Sequence, residues 1–283
     1  MHDQSPFRFG TVGSPKSTPA RPGGSVGAIS RLKELGLGAL ELGWVNAVRV
    51  SEASCAVIKE TAQTQDIAIS VHAPYFINLN ADDEEWPKSR KRLMDAAHFG
   101  NLAGATDIVF HPGTYFGRPA EEVLNKTLPR LQGCLDELRA AGNSVCLRTE
   151  MMGKIAMLGS LEDTLQMSQA IAGVQPCTDF AHLHARCGDG SMNTYDEWAK
   201  VLDTYAKQLG EAALHTMHIH LSGIEYGPKG ERKHLPIEEA DLDIKALFRA
   251  LHDFECRGRI LCESPILEDD ALKLKDMWDE ISK

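Results

Sequence analysis

Short apolar runs recur along the chain, each followed by a polar loop and then by a stretch whose apolar residues fall at helical spacing. The runs predict strands near 7–13, 39–44, 67–73, 107–112, 145–150, 175–180, 216–221 and 259–263. They are near-continuously apolar instead of alternating, as expected of parallel strands buried on both faces. Helical spacing marks 24–36, 88–104 and 120–142, each ending on a glycine that can stop a helix, and also 196–209, 241–254 and 267–281. The stretch SLEDTLQMSQAIAG opens on Ser160, a helix-capping residue type. Strands alternating with helices through eight units predict an α/β fold, the (β/α)8 TIM barrel. One stretch, about 222–240, has no such pattern and is expected to be a long functional loop.

Length fits this picture. A chain of 283 residues is compatible with one barrel, since barrels of about 250 residues form a single domain, and the domain is expected to span 1–283. A composition of 43% hydrophobic and 25% charged residues is that of an ordinary globular chain. No apolar run reaches the roughly 18 residues of a membrane span, and the start, MHDQSPFRFG, carries no secretory pattern. The seven cysteines lack CxxC pairing and read as free thiols, with Cys134, Cys146 and Cys262 in apolar patterns. A cytoplasmic, monomeric protein with no membrane partner and no organic cofactor is expected.

The candidate chemistry lies at the strand ends. His72, His111, Glu150, Asp179, His220 and Glu263 each stand at or just past the end of a predicted strand, from the third to the eighth. In a TIM barrel these ends share one face, where the active site sits. Imidazoles and carboxylates gathered there make a site for divalent transition metals. Glu150, Asp179, His220 and Glu263 suffice for one ion; His72 and His111 suggest a second that shares Glu150 as a bridge. His182, in the loop leaving strand six, and His234, in the 222–240 stretch, can hold a third. His184 is an alternative to His182, and His218 shares a strand face with His220, which is preferred as nearer the strand end.

At these residues the sequence resembles endonuclease IV, the zinc-dependent apurinic/apyrimidinic endonuclease family, within the xylose isomerase-like barrel superfamily. The segments that carry the resemblance are VHAPYFINL, FHPG, TEMMGK with a later leucine–glycine pair, TDFAH, HLSG and ESP. The resemblance implies a Zn2+ on His72, His111 and Glu150, a second on Glu150, Asp179, His220 and Glu263, and a third on His182 and His234. It implies hydrolysis of the phosphodiester 5′ to an abasic or damaged site in double-stranded DNA, leaving a 3′-hydroxyl, with Glu150 as the catalytic carboxylate. It also implies that Tyr75 and Phe76 insert beside the lesion as apolar wedges.

Three departures stand against this. Where the family has an aspartate two residues before its last histidine ligand, this chain has Arg232, so the third ion is open; Glu231 is a substitute ligand, and Arg232 an alternative source of positive charge toward DNA. The loop after strand two, GWVNAVRVS, is short, with Trp44 or Arg49 to stand in for the family's arginine. The net charge is −10, unusual for a DNA-binding chain, although bound ions offset part of it. Manganese is an alternative to zinc on the same ligands. The main rival reading is a sugar isomerase or epimerase of the same superfamily, with one ion on the strand-five to strand-eight ligands and Glu150 and Glu263 exchanging protons with substrate carbon. A barrel that binds damaged DNA without cutting it is a third.

Overall fold

The computed structural model describes residues 5–283; residues 1–4 of the predicted domain lie outside the described residues. In chain order the first elements are β1 (Phe7–Val12), α1 (Gly24–Glu34), β2 (Ala39–Gly43), α2 (Glu52–Gln65), β3 (Ala68–His72), α3 (Trp86–Leu102), β4 (Asp107–Phe110), α4 (Ala120–Ala140), β5 (Cys146–Glu150) and α5 (Leu161–Ala170). They are followed by β6 (Val174–Asp179), α6 (Phe180–Arg186), α7 (Tyr195–Leu209), β7 (Met217–Leu221), β8 (Gly223–Gly227), β9 (Gly230–Leu235), α8 (Ile244–Asp253), β10 (Gly258–Cys262) and α9 (Glu268–Ile281). Eight parallel strands close into a barrel in the order β1–β10–β7–β6–β5–β4–β3–β2. The helices pack around it and bury large side chains such as Trp198, Trp278, Tyr205 and Phe248 against its outside.

The predicted strands fall within two residues of the observed ones. Three elements differ from the sequence reading. Helix α2 has no counterpart in it: the helix begins on Ser51, whose hydroxyl accepts from the Ser54 amide, and stops on Asp66 in the left-handed conformation (φ 55°) where a glycine would have signalled the end. Helix α6 follows β6 directly and is too short for periodicity to reveal. The 222–240 stretch, expected as an irregular loop, contains the antiparallel hairpin β8–β9. Its strands carry glutamate, lysine and arginine toward solvent, so no apolar alternation marks them.

Strand register explains where the polar residues go. Parallel neighbours place Glu41 beside Ser70, Ser70 beside Asp107, Cys177 beside His218, Asp179 beside His220 and His218 beside Arg259. Side chains alternate along each strand, so Glu41, Ser70, His72, Asp107, Arg148, Glu150, Cys177, Asp179, His218, His220 and Arg259 all share one face. That face is the barrel interior: His218 on β7 reaches Glu41 on β2 at 2.8 Å, although these strands are not neighbours. Branched aliphatics usually fill this space; here it is largely ionisable. At the base, Asp107 accepts from Arg148 Nε at 2.6 Å and lies 3.1 Å from Arg259 Nη2. At the top stand the predicted ligands.

Candidate metal centre

Among the described residues, three ligand groups lie at the C-terminal mouth of the barrel, each with its ligand atoms within 4.8 Å of one another: His72, His111 and Glu150; Glu150, Asp179, His220 and Glu263; and His182, Glu231 and His234; a fourth, Cys177, His218 and His220, reaches deeper into the barrel. Glu150 belongs to two of them. Its Oε2 lies 3.1 Å from His72 Nε2 and 3.2 Å from His111 Nε2, while its Oε1 faces His182 Nδ1 at 3.3 Å and His220 Nδ1 at 3.7 Å. One carboxylate thus presents separate oxygens to separate groups.

Local structure aims each side chain. His72 is the last residue of β3, and its Nδ1–H donates to the Ala73 carbonyl at 2.9 Å, which turns Nε2 inward. Asp179 ends β6 and also caps α6: its Oδ1 accepts from the His182 amide at 2.7 Å. The same contact sets His182 one turn into the helix, with Nδ1 donating to the Met151 carbonyl at 2.9 Å and Nε2 left 3.3 Å from His234 Nε2. His234 donates from Nδ1 to the Glu263 carbonyl at 3.1 Å.

The third group depends on a bulge. Tyr226 pairs with Glu231 but Glu225 pairs with Lys233, so Arg232 is an extra residue on β9. In a flat strand, residues three apart point to opposite faces. The bulge shifts the phase by one, so Glu231 and His234 both face His182. Glu231 Oε2 lies 3.6 Å from His182 Nε2. The hairpin docks on the loop after β5, where the Glu231 amide donates to the Gly153 carbonyl at 2.9 Å. Gly153 leaves room for this contact: a Cβ there would lie 2.7 Å from Glu231 Cβ and 3.0 Å from His182 Cδ2.

Other expectations are placed as follows. Arg232 is not brought into the cluster; its guanidinium lies over Gly227 and 3.3 Å from Glu225. His184 is buried outside the ligand groups, bonded to the Met192 carbonyl and to Asp241. His218 lies two residues deeper than His220 and donates to Glu41. Tyr75 stacks on His111 with ring centroids 5.0 Å apart and meets His72 edge-on, while Phe76 is 62% exposed beside it. Trp44 is half-buried and Arg49 exposed in the short loop after β2. Lys88, Arg90, Arg118 and Lys233 are engaged by nearby carboxylates, and Arg186 by loop carbonyls. Lys154 lines the cavity over the ligands, together with Tyr75, Met152 and Met157; its volume is about 370 Å3. Glu41, fully buried in β2, escapes the sequence reading, because a single glutamate inside the apolar run ALELG gives no spacing signal.

The ligand set suits divalent ions. Asp179 Oδ2 and His220 Nδ1, the ring nitrogen that faces the ligand oxygens, are buried without a hydrogen-bond partner, although unsatisfied buried polar groups are costly. The groups also polarise one another. Burial pushes the Asp179 carboxyl up to about 6 against the pull of His182. Burial works against a charged His72, but Glu150 outweighs it and holds that ring at about 9. Burial opposes the Glu150 charge too, and His111 and the other histidines around it hold the carboxyl well below its usual range. Four carboxylates in one pocket repel an anionic substrate unless cations join them.

The family model described as xylose isomerase-like TIM barrel matches residues 29–281. The chain is 39% identical over 274 residues to an uncharacterized protein of Methanocaldococcus jannaschii, covering 96% of this chain and 97% of that one. It is 29% identical over 212 residues to a probable endonuclease 4 of Shouchella clausii, covering 71% and 69%. Its fold matches the crystal structure of endonuclease IV from Thermus thermophilus, with a TM-score of 0.71 at 22% identity over 97% and 98% of the two chains. It also matches a D-tagatose 3-epimerase-like protein, with a TM-score of 0.72 at 18% identity over 98% and 97%. The chain belongs to the xylose isomerase-like TIM barrel family, and its endonuclease 4 relatives support the kinship with endonuclease IV that its strand-end motifs suggested.

Proposed function

We propose that this protein is a metal-dependent endonuclease that hydrolyses the phosphodiester 5′ to an abasic or damaged site in double-stranded DNA and leaves a 3′-hydroxyl. The observation that carries the reading is the third ligand group, His182, Glu231 and His234, set beside the two groups that share Glu150. A sugar epimerase needs one ion and would use only Glu150, Asp179, His220 and Glu263. Three adjacent groups suit a phosphodiester, where charge develops on both the attacking and the departing oxygen. The relatives named endonuclease 4 support the same reading.

Zn2+ is the proposed metal, with Mn2+ an alternative on the same ligands. His72, His111 and Glu150 would hold one ion, Glu150, Asp179, His220 and Glu263 a second, and His182, Glu231 and His234 a third. When bound, such ions supply Lewis acidity to phosphoryl oxygens and acidify water. The protein's own groups do the rest. Glu150 faces two groups at once and fixes their separation, and its free lone pairs can orient the attacking water. Tyr75, Met152 and Met157 wall the cavity with apolar surface that limits water. Lys154 places the one lysine of the lining where a phosphate can reach it. Tyr75 and Phe76 project from the loop after β3 as large exposed rings able to fill the gap left by a missing base.

The test is cleavage of labelled duplex DNA carrying one reduced abasic analogue, which cannot undergo β-elimination. Protein reloaded with zinc or manganese is expected to give a 5′-side nick with a 3′-hydroxyl. No nick with either metal, together with turnover of a ketose, would replace this reading with the epimerase.

A further inference from the structure

We infer that Glu41 is the positioning residue for the ion held by Glu150, Asp179, His220 and Glu263, acting through His220 from beneath. The inference rests on the metal reading of that group. Three of the ligand histidines, His72, His182 and His234, turn one ring nitrogen into the site and give the other to a backbone carbonyl. His220 has no carbonyl to use. Its Nδ1 faces the ligand oxygens, 3.4 Å from Glu263 Oε1 and 3.7 Å from Glu150 Oε1, and its Nε2 faces Glu41 Oε1 at 3.0 Å.

A carboxylate behind a ligand imidazole accepts a hydrogen bond from the far N–H, which keeps the proton there, leaves the near lone pair for the metal and strengthens the ring as a ligand. Glu41 is itself held in place. Its Oε2 accepts from Ser70 Oγ at 2.7 Å and from His218 Nε2 at 2.8 Å, and all four side chains are fully buried. This gives His218 a use as well: through Nε2 it fixes the carboxylate that orients the histidine two residues on. The arrangement joins β2, β3 and β7 across the barrel interior. It therefore reads as a support built for one ligand.

The test uses the full chain, stripped of metal and titrated with Co2+, with visible absorption and bound cobalt per chain as readouts. His220→Asn marks the absorption change that belongs to this ion. Glu41→Gln keeps the size of the side chain and its contact with Ser70 but removes the charge. It is expected to weaken the same ion about ten- to a hundredfold, to reproduce the His220→Asn spectral change in kind, and to leave the remaining cobalt bands intact. Wild-type cobalt uptake in Glu41→Gln overturns the proposal, as does equal weakening of every ion together with a lowered melting temperature, which is what a merely structural role predicts. If Glu41→Gln does not fold, Ser70→Ala, which frees the carboxylate without touching His220, must loosen the same ion selectively; no selective loss there overturns the proposal too. A wild-type chain that takes up no cobalt sinks the metal reading itself, which the two variants alone cannot do.

Discussion

Gly153 shows how little space the site leaves at the scale of single residues. A methyl group there would press on Glu231 and His182 together. Gly153→Ala is expected to disperse the His182–Glu231–His234 group and to lower metal content by up to one ion per chain, measured by elemental analysis, with the barrel otherwise folded. Unchanged content would mean that the hairpin can shift to accommodate it. Tyr75 and Phe76 make a second case. They are about half and nearly two-thirds exposed, a poor use of aromatic area unless something covers it. Replacing both by Ala is expected to weaken binding to an abasic duplex at least tenfold, read by fluorescence anisotropy, at constant metal content. Equal affinity would leave them as rim packing. At this scale the sequence is informative wherever a ligand type meets a strand end, and silent where a single residue in an apolar run, such as Glu41, turns inward.

Among elements, the hairpin β8–β9 is the informative one. The sequence marks its length as unusual but hides its form, because both strands are short and polar and one is bulged. Arg232 occupies the expected aspartate position, and counting along the chain makes the third group look broken. Counting along the sheet restores it, since the bulge absorbs one residue and brings Glu231 onto the face of His234. Deleting Arg232 should flatten the strand and still leave Glu231 and His234 on one face, two residues apart. The deletion is therefore expected to retain wild-type metal content by elemental analysis, an unusual tolerance for a shortened site; loss of an ion would show that the bulge itself is needed. Helix α2 is hidden for a different reason: its stop is an aspartate in a conformation usually left to glycine. The strands are readable because both of their faces are buried and their apolar runs are continuous.

For the whole molecule, the barrel interior matters most. Asp107 at its base serves two arginines, Arg148 and Arg259. Burial alone would raise its carboxyl, but the two guanidiniums hold it well below the usual carboxylate range. A carboxyl depressed on folding stabilises the fold above its unfolded value near 3.9 and stops doing so as pH falls through the folded value. Asp107→Asn leaves the buried Arg148 and the half-buried Arg259 without their carboxylate and is expected to cost about 3–5 kcal/mol at neutral pH by urea unfolding. The gap between variant and wild type should narrow as the solution is acidified below about pH 4. A constant gap would assign the loss to packing. Higher up the same interior, carboxylates and imidazoles stand where other barrels keep aliphatic side chains. Divalent ions bound there would complete the core as well as carry chemistry, so loading and folding become one equilibrium. A chelator should then lower the melting temperature of this protein by several degrees and make its unfolding depend on free metal, much as a keystone decides whether an arch stands.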